Sequence, residues 1–246
     1  MTDTTLTLIA HAGTHVGKVR SGNEDAYHCG ERLFVVADGL GGHAAGEVAS
    51  ALAVEELAGL EPRDFSTVEE VQEALAEAIR AGNRRVHAEA EADARRAGMG
   101  TTLTAAAVMG ERLALAHVGD SRAYLLRGGA LQQLTTDHTA AQEAVDAGYL
   151  TPEQAATRPE RHMLARAVGL ALDVAVDTPE PVGLAPGDRV LLCSDGLVDP
   201  LTDQAIATIL EEHPDPREAC EGLVQAALDG GGPDNVTVVV VRIDGS

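Results

Sequence analysis

The sequence predicts an α+β protein in which helices pack outside antiparallel β-sheets. Three observations support this prediction: short apolar runs dominate the chain, neighbouring runs are joined by tight turns, and helical stretches separate blocks of strands. Apolar runs joined by two-residue turns are typical of β-hairpins, and adjacent hairpins form antiparallel sheets. The chain has 246 residues and no segment that reads as a linker, so we expect a single domain over residues 1–246.

The first part of the chain contains two predicted strands and two predicted helices. Residues 6–11 and 33–37 are apolar runs of strand length. Apolar side chains recur at helical spacing over residues 46–57, and a longer helical pattern runs from Val68 to near Gly98. A helix pair is therefore expected beside the first strands.

Two predicted hairpins follow in the middle of the chain. The first turns at Gly110-Glu111 and the second at Gly128-Gly129, both of which are short turn signals between apolar runs. The four strands of these hairpins are expected at residues 101–109, 113–118, 123–126 and 131–134.

The last part of the chain begins with an irregular segment. Residues 137–169 break into short, alanine-rich polar pieces with two prolines, and we interpret them as a flap subdomain over a site. A strand at residues 190–194, helices at 202–212 and 216–228 and a final strand at 236–241 complete the predicted elements.

Three acidic residues stand at strand ends that are far apart in the sequence. Asp38 and Asp195 each end an apolar run and precede a glycine, and Asp234 stands just before the last apolar run. The interior of a buried strand does not favour an acid, and the neighbouring glycine lets the backbone turn or approach a ligand. Converging carboxylates raise one another's pKa values unless a positive charge lies between them. The sequence therefore predicts one acidic site that holds a divalent cation.

The residue types favour a hard metal ion. No Cys or His occurs at the spacing of a zinc site, so the ligands are oxygens, which suit Mg²⁺ or Mn²⁺. An acid shared by two such ions places them ~3.5 to 4 Å apart, and the pair activates a bridging water for in-line attack on a phosphate.

Charge and composition exclude other classes of partner. The 18 basic and 39 acidic residues give a net charge of -21, which repels nucleic acids and anionic membranes and attracts cations. Two Phe, three Tyr and no Trp are too few for a base-stacking platform, which argues against a nuclease. Three cysteines without a C-x-x-C pair indicate a reducing compartment, and no apolar stretch approaches the ~18 residues that span a bilayer. We expect a cytoplasmic protein with no nucleic-acid or membrane partner in this chain.

Two other phosphate chemistries are excluded by the residues. No cysteine has an arginine six positions later, so the loop of a cysteine phosphatase is absent. The only lysine, Lys18, follows a glycine but lacks the other residues of the nucleotide-binding glycine-rich pattern.

Seven short motifs are spread in order over nearly the whole chain. They are GKVRSGNEDA (17–26), VADGLGGH (36–43), GTT (100–102), HVGDSR (117–122), DHT (137–139), SDGL (194–197) and GPDN (232–235). Together they resemble the bacterial PP2C-type (PPM family) serine/threonine protein phosphatases. The resemblance implies a four-layer α-β-β-α sandwich of two antiparallel β-sheets flanked by helix pairs, with a two-metal centre at one end and a flap at about residues 137–169.

The resemblance also implies a set of metal ligands. Asp38 matches the acid that bridges both ions, and Gly39 matches the residue whose carbonyl binds one of them. Asp195 and Asp234 match the terminal ligands of the other ion. Asp120 matches an acid that helps to hold a weaker third ion in bacterial members. The implied cofactors are two Mn²⁺ or Mg²⁺ ions, with a third held more weakly.

The catalytic residues implied by the resemblance are Arg20, Glu24 and Asp38. Arg20 matches the guanidinium that binds the substrate phosphate, and Glu24 matches an acid that orients metal-bound water, with Asp25 behind it. A leucine stands where animal members have a histidine after the Asp-Gly pair, and His43 comes three residues later. His43 and a metal-bound water therefore both stay open as the general acid.

The leading hypothesis is a monomeric phosphatase that hydrolyses phosphoserine and phosphothreonine in proteins and counters bacterial serine/threonine kinases. Its partners would be phosphorylated proteins, namely kinases and their substrates. Two alternatives stay open at this point: a phosphoprotein-binding regulator with little or no catalysis, and a phosphatase dedicated to a sigma-factor regulator.

Overall fold

A computed structural model describes residues 6–41, 44–61 and 63–245 of the chain. The strands are β1 (Leu6–His15), β2 (Ala26–Cys29), β3 (Leu33–Ala37), β4 (Gly39–Leu40), β5 (Gly100–Thr101), β6 (Leu103–Met109), β7 (Arg112–Val118), β8 (Arg122–Arg127), β9 (Ala130–Gln133), β10 (Val182–Gly183), β11 (Arg189–Cys193) and β12 (Val236–Gly245). The helices are α1 (Ala44–Ala58), α2 (Val68–Ala92), α3 (Ala140–Asp146), α4 (Pro152–Ala155), α5 (Asp195–Val198), α6 (Asp203–Glu212) and α7 (Pro216–Asp229), with 3₁₀ turns at Ala94–Arg96 and Pro159–His162.

Ten of these strands form two antiparallel sheets of five. The first has the order β1-β12-β11-β8-β9 and the second β10-β7-β6-β3-β2, while β4 and β5 pair separately. The last strand, β12, lies between β1 and β11, and its pairing with β1 runs from Leu6 opposite Gly245 to His15 opposite Val236. The two ends of the described chain are therefore joined in one sheet.

Alternating side chains of the strands produce four layers. On β3, Phe34 and Val36 contribute to the core between the sheets, whereas Val35 packs with α1 and α2. On β12, Val239 packs between the sheets and Val240 packs with α6 and α7. Because side chains of a strand point to opposite faces in turn, both sheets are apolar on both faces and need helices outside them. The predicted α-β-β-α sandwich is confirmed.

Both predicted hairpins are present. The β6–β7 pair turns at residues 110–111 and the β8–β9 pair at residues 128–129, as the glycines indicate. The strands β2, β4 and β10 were not predicted, because each has only two to four residues and no apolar run of its own.

Among the element boundaries that differ from the prediction, three have a clear structural reason or consequence. The expected strand over residues 101–109 is interrupted at Thr102, because Gly100 and Thr101 pair with β4 outside the large sheets. The helix expected to reach Gly98 ends at Ala92, where the side chain of Asp93 accepts from the N–H of Arg95 and starts a 3₁₀ turn. Residues 195–198, read as a turn, form the helix α5.

Residues 137–169 form a compact segment that follows β9, an edge strand of the first sheet. Its base is closed by two backbone hydrogen bonds, from Ala140 N–H to the Met163 carbonyl (2.8 Å) and from Ala165 N–H to the His138 carbonyl (2.9 Å). Thr139 and Thr151 cap α3 and α4 with their side chains. Motion of this segment as a flap and the single-domain organisation over 1–246 stay predictions. Among the described helices, none combines the length and apolar character that crossing a membrane requires.

Candidate metal centre

Residues predicted to form the site meet in one cleft of about 1000 Å³. The cleft lies at the end of the sandwich where β3, β7 and β11 end and β12 begins. Asp25 is half-buried beneath this cleft, and His43 lies outside the described residues. The predicted residues that line the cleft are Arg20, Glu24, Asp38, Gly39, Asp120, Asp195 and Asp234.

Topology explains why residues so distant in the sequence meet here. The strands β11 and β12 are antiparallel neighbours, so Asp195 at the end of β11 lies beside Asp234 at the start of β12. Asp38 follows β3 in the facing sheet, and Asp120 follows β7 in that same sheet. The cleft is therefore built by both sheets of the sandwich.

The backbone of Asp38 is fixed by two threonines. Its N–H donates to Oγ1 of Thr102 (2.9 Å), and its carbonyl accepts from the N–H of Thr102 (2.8 Å) and from Oγ1 of Thr101 (2.9 Å). Oγ1 of Thr102 is also hydrogen-bonded to Oγ of Ser121 at 2.7 Å. These contacts set the position of Asp38 relative to the loop that carries Asp120. The sequence motif contained both threonines, but we assigned them no role.

Gly39 occupies a position where a side chain does not fit. A β-carbon there would overlap the carbonyl oxygens of Gly46 and Glu24. The absence of a side chain therefore lets β4 pass between the start of α1 and the loop before β2. The role of the Gly39 carbonyl as a metal ligand stays a prediction.

Asn235 connects three segments around the cleft. Its Oδ1 accepts from the N–H of Glu24 (2.8 Å), while its Nδ2 donates to the carbonyls of Val16 and Gly22 (2.9 Å each). Its own N–H donates to Oδ1 of Asp234 at 2.8 Å. One buried amide thus holds the loop between Val16 and Glu24 against the acid before β12. Apart from the residue's place in a motif, nothing in the sequence indicates this role.

The carboxylate of Asp25, below the cleft, is hydrogen-bonded to the hydroxyl of a serine. Oγ of Ser194 donates to Oδ2 of Asp25 (2.8 Å) and accepts from the N–H of Thr237 (2.9 Å). Burial raises the pKa of Asp25 to about 7, while its hydrogen bonds act in the opposite direction.

Burial and mutual repulsion raise the pKa values of the acids in the cleft. For Asp38 burial is the main cause, and the carboxylates of Asp25, Asp195 and Asp120 raise its pKa further, well above the ordinary value. Burial likewise raises the pKa of Asp195 to about 6 and that of Asp120 to about 8, again with help from neighbouring carboxylates. Such a cluster attracts any cation that brings positive charge among the oxygens.

The described residues fit divalent cations. Asp25 Oδ1 and Asp195 Oδ1 are buried carboxylate oxygens without a hydrogen-bond partner in the described part of the chain. An unpartnered buried carboxylate oxygen is costly unless a cation neutralises it. All predicted ligand atoms are oxygens, which matches the preference of Mg²⁺ and Mn²⁺. Asp38, Asp195, Asp234 and Asp120 are the side chains that would hold such ions.

Arg20 supplies positive charge at the rim of the cleft. Its Nη2 donates to Oδ2 of Asp234 at 2.7 Å, and the side chain keeps 55% of its surface exposed. The pKa of Arg20 is raised mainly by Asp234, with smaller contributions from Asp38 and Glu24. A guanidinium in this position is accessible to an anion that enters from solvent.

One cluster in the cleft was not predicted. His162, Asp195 and Asp199 offer ligand atoms that lie within 4.8 Å of one another. Asp199 also lies 3.4 Å from Nη1 of Arg161 and 3.5 Å from Nδ1 of His162, so the end of the 137–169 segment contacts the cleft. Asp195 and Asp199 lie four residues apart on the same helical segment, so their side chains share one face. We predicted a turn at residues 195–198, and a turn does not place these two side chains together.

The sandwich with a carboxylate cluster and an arginine at one end defines a candidate phosphohydrolase of the metal-dependent class. The chain belongs to the protein phosphatase 2C family, whose profile matches residues 12–229. The resemblance drawn from the motifs is therefore confirmed.

Two curated relatives are bacterial phosphatases. The serine/threonine protein phosphatase PstP of Mycobacterium tuberculosis is 46% identical over 244 residues, which cover 99% of this chain and 46% of that protein. The chain thus spans about half the length of PstP. Protein phosphatase PhpP of Streptococcus pneumoniae is 35% identical over 237 residues, covering 94% of this chain and 96% of PhpP.

Solved structures of PstP share the fold. The crystal structure of Mycobacterium tuberculosis PstP/Ppp gives a TM-score of 0.91 at 45% identity and covers 96% of this chain and 99% of that one. The PstP catalytic domain in complex with two manganese ions gives a TM-score of 0.85 at 44% identity, with 98% and 100% covered. The predicted sandwich is thus found in experimental structures of relatives.

Proposed function

We propose that this chain is a metal-dependent phosphoprotein phosphatase that hydrolyses phosphoserine and phosphothreonine. The observation that carries the proposal is the convergence of Asp38, Asp120, Asp195 and Asp234 in one cleft with Arg20 at its rim. The acids supply oxygen ligands for divalent cations, and the planar guanidinium of the arginine can donate two hydrogen bonds to phosphate oxygens. Family membership and the two manganese ions of the PstP structure support the same assignment.

In this proposal each side chain has one task. Two divalent ions, when bound, supply the positive charge that lowers the pKa of a water and neutralises the phosphate. Arg20 binds and orients the phosphate, since a planar guanidinium pairs with two of its oxygens. Glu24, fixed through its N–H by Asn235, orients the attacking water, and Asp25 supports the cleft from below.

We further propose Mn²⁺ or Mg²⁺ as the cofactor, a third ion at Asp120 and a monomeric enzyme. The substrates would be proteins phosphorylated by bacterial serine/threonine kinases. We place the reaction in the cytoplasm, a proposal supported by three cysteines, Cys29, Cys193 and Cys220, that form no disulfide.

Hydrolysis of a phosphothreonine peptide tests the proposal. Phosphate release should require Mn²⁺ or Mg²⁺, stop with EDTA and fall at least about a hundredfold in Asp38→Asn. The control is Asp229→Asn, which changes an exposed acid on α7 outside the cleft. Full activity in EDTA would overturn the proposal. Peptide binding without turnover would instead identify a phosphoprotein-binding regulator, and cleavage of DNA in a parallel assay a nuclease.

A further inference from the structure

Three consecutive apolar residues, Leu170, Ala171 and Leu172, are exposed on the surface; we call them the Leu170–Leu172 ridge. Leu170 is 50% and Leu172 66% exposed, and Ala171 is exposed as well. Runs of exposed apolar residues are unfavourable in water and mark interaction surfaces. The ridge is unusual in a chain with a net charge of -21.

The ridge is held rigidly from below by Asn83 of α2. This side chain is 1% exposed, and its Nδ2 donates to the carbonyls of Ala171 and Leu172, both at 3.0 Å. Its Oδ1 accepts from the N–H of Gly169 at 2.7 Å. Because one buried amide fixes the backbone at three points, the two leucines are presented in a set direction and little further ordering is needed for contact.

Gly169 makes this presentation possible. It has a φ of +91°, a conformation that L-residues with a side chain rarely adopt, and a β-carbon would overlap the side chain of Val86. The backbone therefore turns at Gly169 against α2, and Leu170 is half-exposed although Val168 and Gly169 are buried.

The ridge lies next to the metal cleft. Val168 forms a backbone bridge with Thr101, and the side chain of Leu170 covers Gly100, where a β-carbon would come within 2.9 Å of its Cδ2. Gly100 in turn pairs with Leu40, which lines the cleft two residues after Asp38. A single pair of short strands thus separates the ridge from the candidate metal ligands.

We propose that the Leu170–Leu172 ridge is a docking surface for apolar side chains of the phosphoprotein substrate. It would bind a segment close to the phosphorylated residue while that residue occupies the cleft. The inference rests on the proposed function, because it assigns a substrate class to the same site. Leu170 lies against Gly100, whose strand partner Leu40 lines the cleft. This proximity favours the substrate over a second copy of the chain, because a peptide whose phosphorylated residue occupies the cleft extends over the neighbouring surface.

Two phosphothreonine peptides and one small substrate test the proposal with the Mn²⁺-loaded chain. The first peptide carries leucines on both sides of the phosphothreonine, the second carries serines at those positions, and the small substrate is p-nitrophenyl phosphate. In Leu170→Ser/Leu172→Ser, the KM for the leucine peptide should rise about tenfold, because apolar contact area is lost. The KM for the serine peptide and the turnover of p-nitrophenyl phosphate should not change.

Two further variants complete the experiment. Leu170→Met/Leu172→Met keeps the apolar surface and should retain the preference for the leucine peptide. Ile9→Thr changes an exposed aliphatic residue on β1 and should have no effect on the preference. Loss of p-nitrophenyl phosphate turnover in the serine variant, without recovery in the methionine variant, would overturn the docking role in favour of a structural one.

The remaining outcomes separate the two proposals. If the unaltered chain hydrolyses none of the three substrates, the proposed function fails. If it hydrolyses all of them but prefers neither peptide, the docking surface fails alone. A shift of oligomeric state in the serine variant, measured by light scattering, together with unchanged KM values would assign the ridge to self-association and overturn the inference.

Discussion

Arg20 and Asp234 form an ion pair across 214 positions of sequence, with Nη2 of the arginine 2.7 Å from Oδ2 of the acid. The candidate phosphate ligand is thus joined directly to a candidate metal ligand. An anion bound by Arg20 would lie beside the ions that Asp234 is predicted to help to hold, which is the arrangement that in-line attack on a phosphate requires.

Replacement of Arg20 should weaken phosphate binding and leave metal stoichiometry unchanged. We expect kcat/KM for a phosphothreonine peptide to fall about tenfold in Arg20→Lys, which keeps the charge but loses the planar fork, and about a hundredfold in Arg20→Ala. Steady-state kinetics and Mn²⁺ calorimetry measure the two effects separately. Arg217→Lys, in an exposed pair with Glu221, is the matched control. Equal kinetics for Arg20→Lys and the unaltered chain would contradict the predicted bidentate contact.

Asp38 and Asp195 should differ in their effect on metal content. Asp38→Asn is expected to disturb both ions because this acid is predicted to bridge them, whereas Asp195→Asn should chiefly remove one. Metal analysis of protein dialysed against Mn²⁺ gives the number of ions retained. Retention of both ions by Asp38→Asn would rule out the bridging role.

Stability without divalent cations should decrease as the pH rises. Asp25 and Asp120 have pKa values raised from 3.8 to about 7 and about 8, so the folded chain binds more protons than the unfolded chain above pH 3.8. This contribution to stability is complete below pH 3.8 and is lost as the pH rises through about 7 to 8. In EDTA, the midpoint of thermal unfolding should therefore fall between about pH 6.5 and 8.5, and Mn²⁺ should reverse the fall.

The pH range begins at about 6.5 because His117 changes stability in the opposite direction below that pH. Burial lowers the pKa of His117 from 6.5 to about 3, so its contribution is complete above pH 6.5 and is lost on acidification. Asp120→Asn should reduce the alkaline decrease measured in EDTA. An unchanged decrease in this variant, and in Asp25→Asn, would assign the effect to other groups.

Removal of the Asn235 amide should destabilise the fold as well as the site. Asn235→Ala removes the side-chain hydrogen bonds to the carbonyls of Val16 and Gly22 and to the N–H of Glu24, and we expect a loss of about 2 to 4 kcal/mol in the free energy of unfolding. Urea unfolding measures this loss. Gln225→Ala, which removes an exposed amide contact on α7, should change stability by less than about 0.5 kcal/mol. Similar values for both variants would show that Asn235 is not a structural clamp.

Local patterns in the sequence were sufficient to predict helices packed outside antiparallel sheets, and the resemblance of the motifs to a known family implied the four-layer sandwich. The apolar run of β3 and the glycine turns of the two hairpins are signals that depend on neighbouring residues only. The two-residue strands β4 and β5 have no such signal, because their pairing is decided by Gly39 fitting between Gly46 and Glu24. Packing between distant segments is not visible in local periodicity.

The acids of the site were predictable, but the residues that position them were not. Asp38, Asp195 and Asp234 stand out because a carboxylate is unexpected at the end of a buried strand. The amide of Asn235 has nothing comparable in the sequence, since its partners Val16 and Gly22 lie more than two hundred residues away. Its role depends on three-dimensional distances alone.

The position of β12 between β1 and β11 affects how the protein is made. Asp234 and Asn235 precede this strand immediately, and the segment around Glu24 that Asn235 contacts lies more than two hundred residues earlier in the chain. While a ribosome is still adding residues before 234, the nascent chain lacks one candidate metal ligand and the amide that holds the opposite loop. If the proposed function holds, a chain translated only as far as Pro233 would lack phosphatase activity, which would begin only after β12 emerges and pairs with β1.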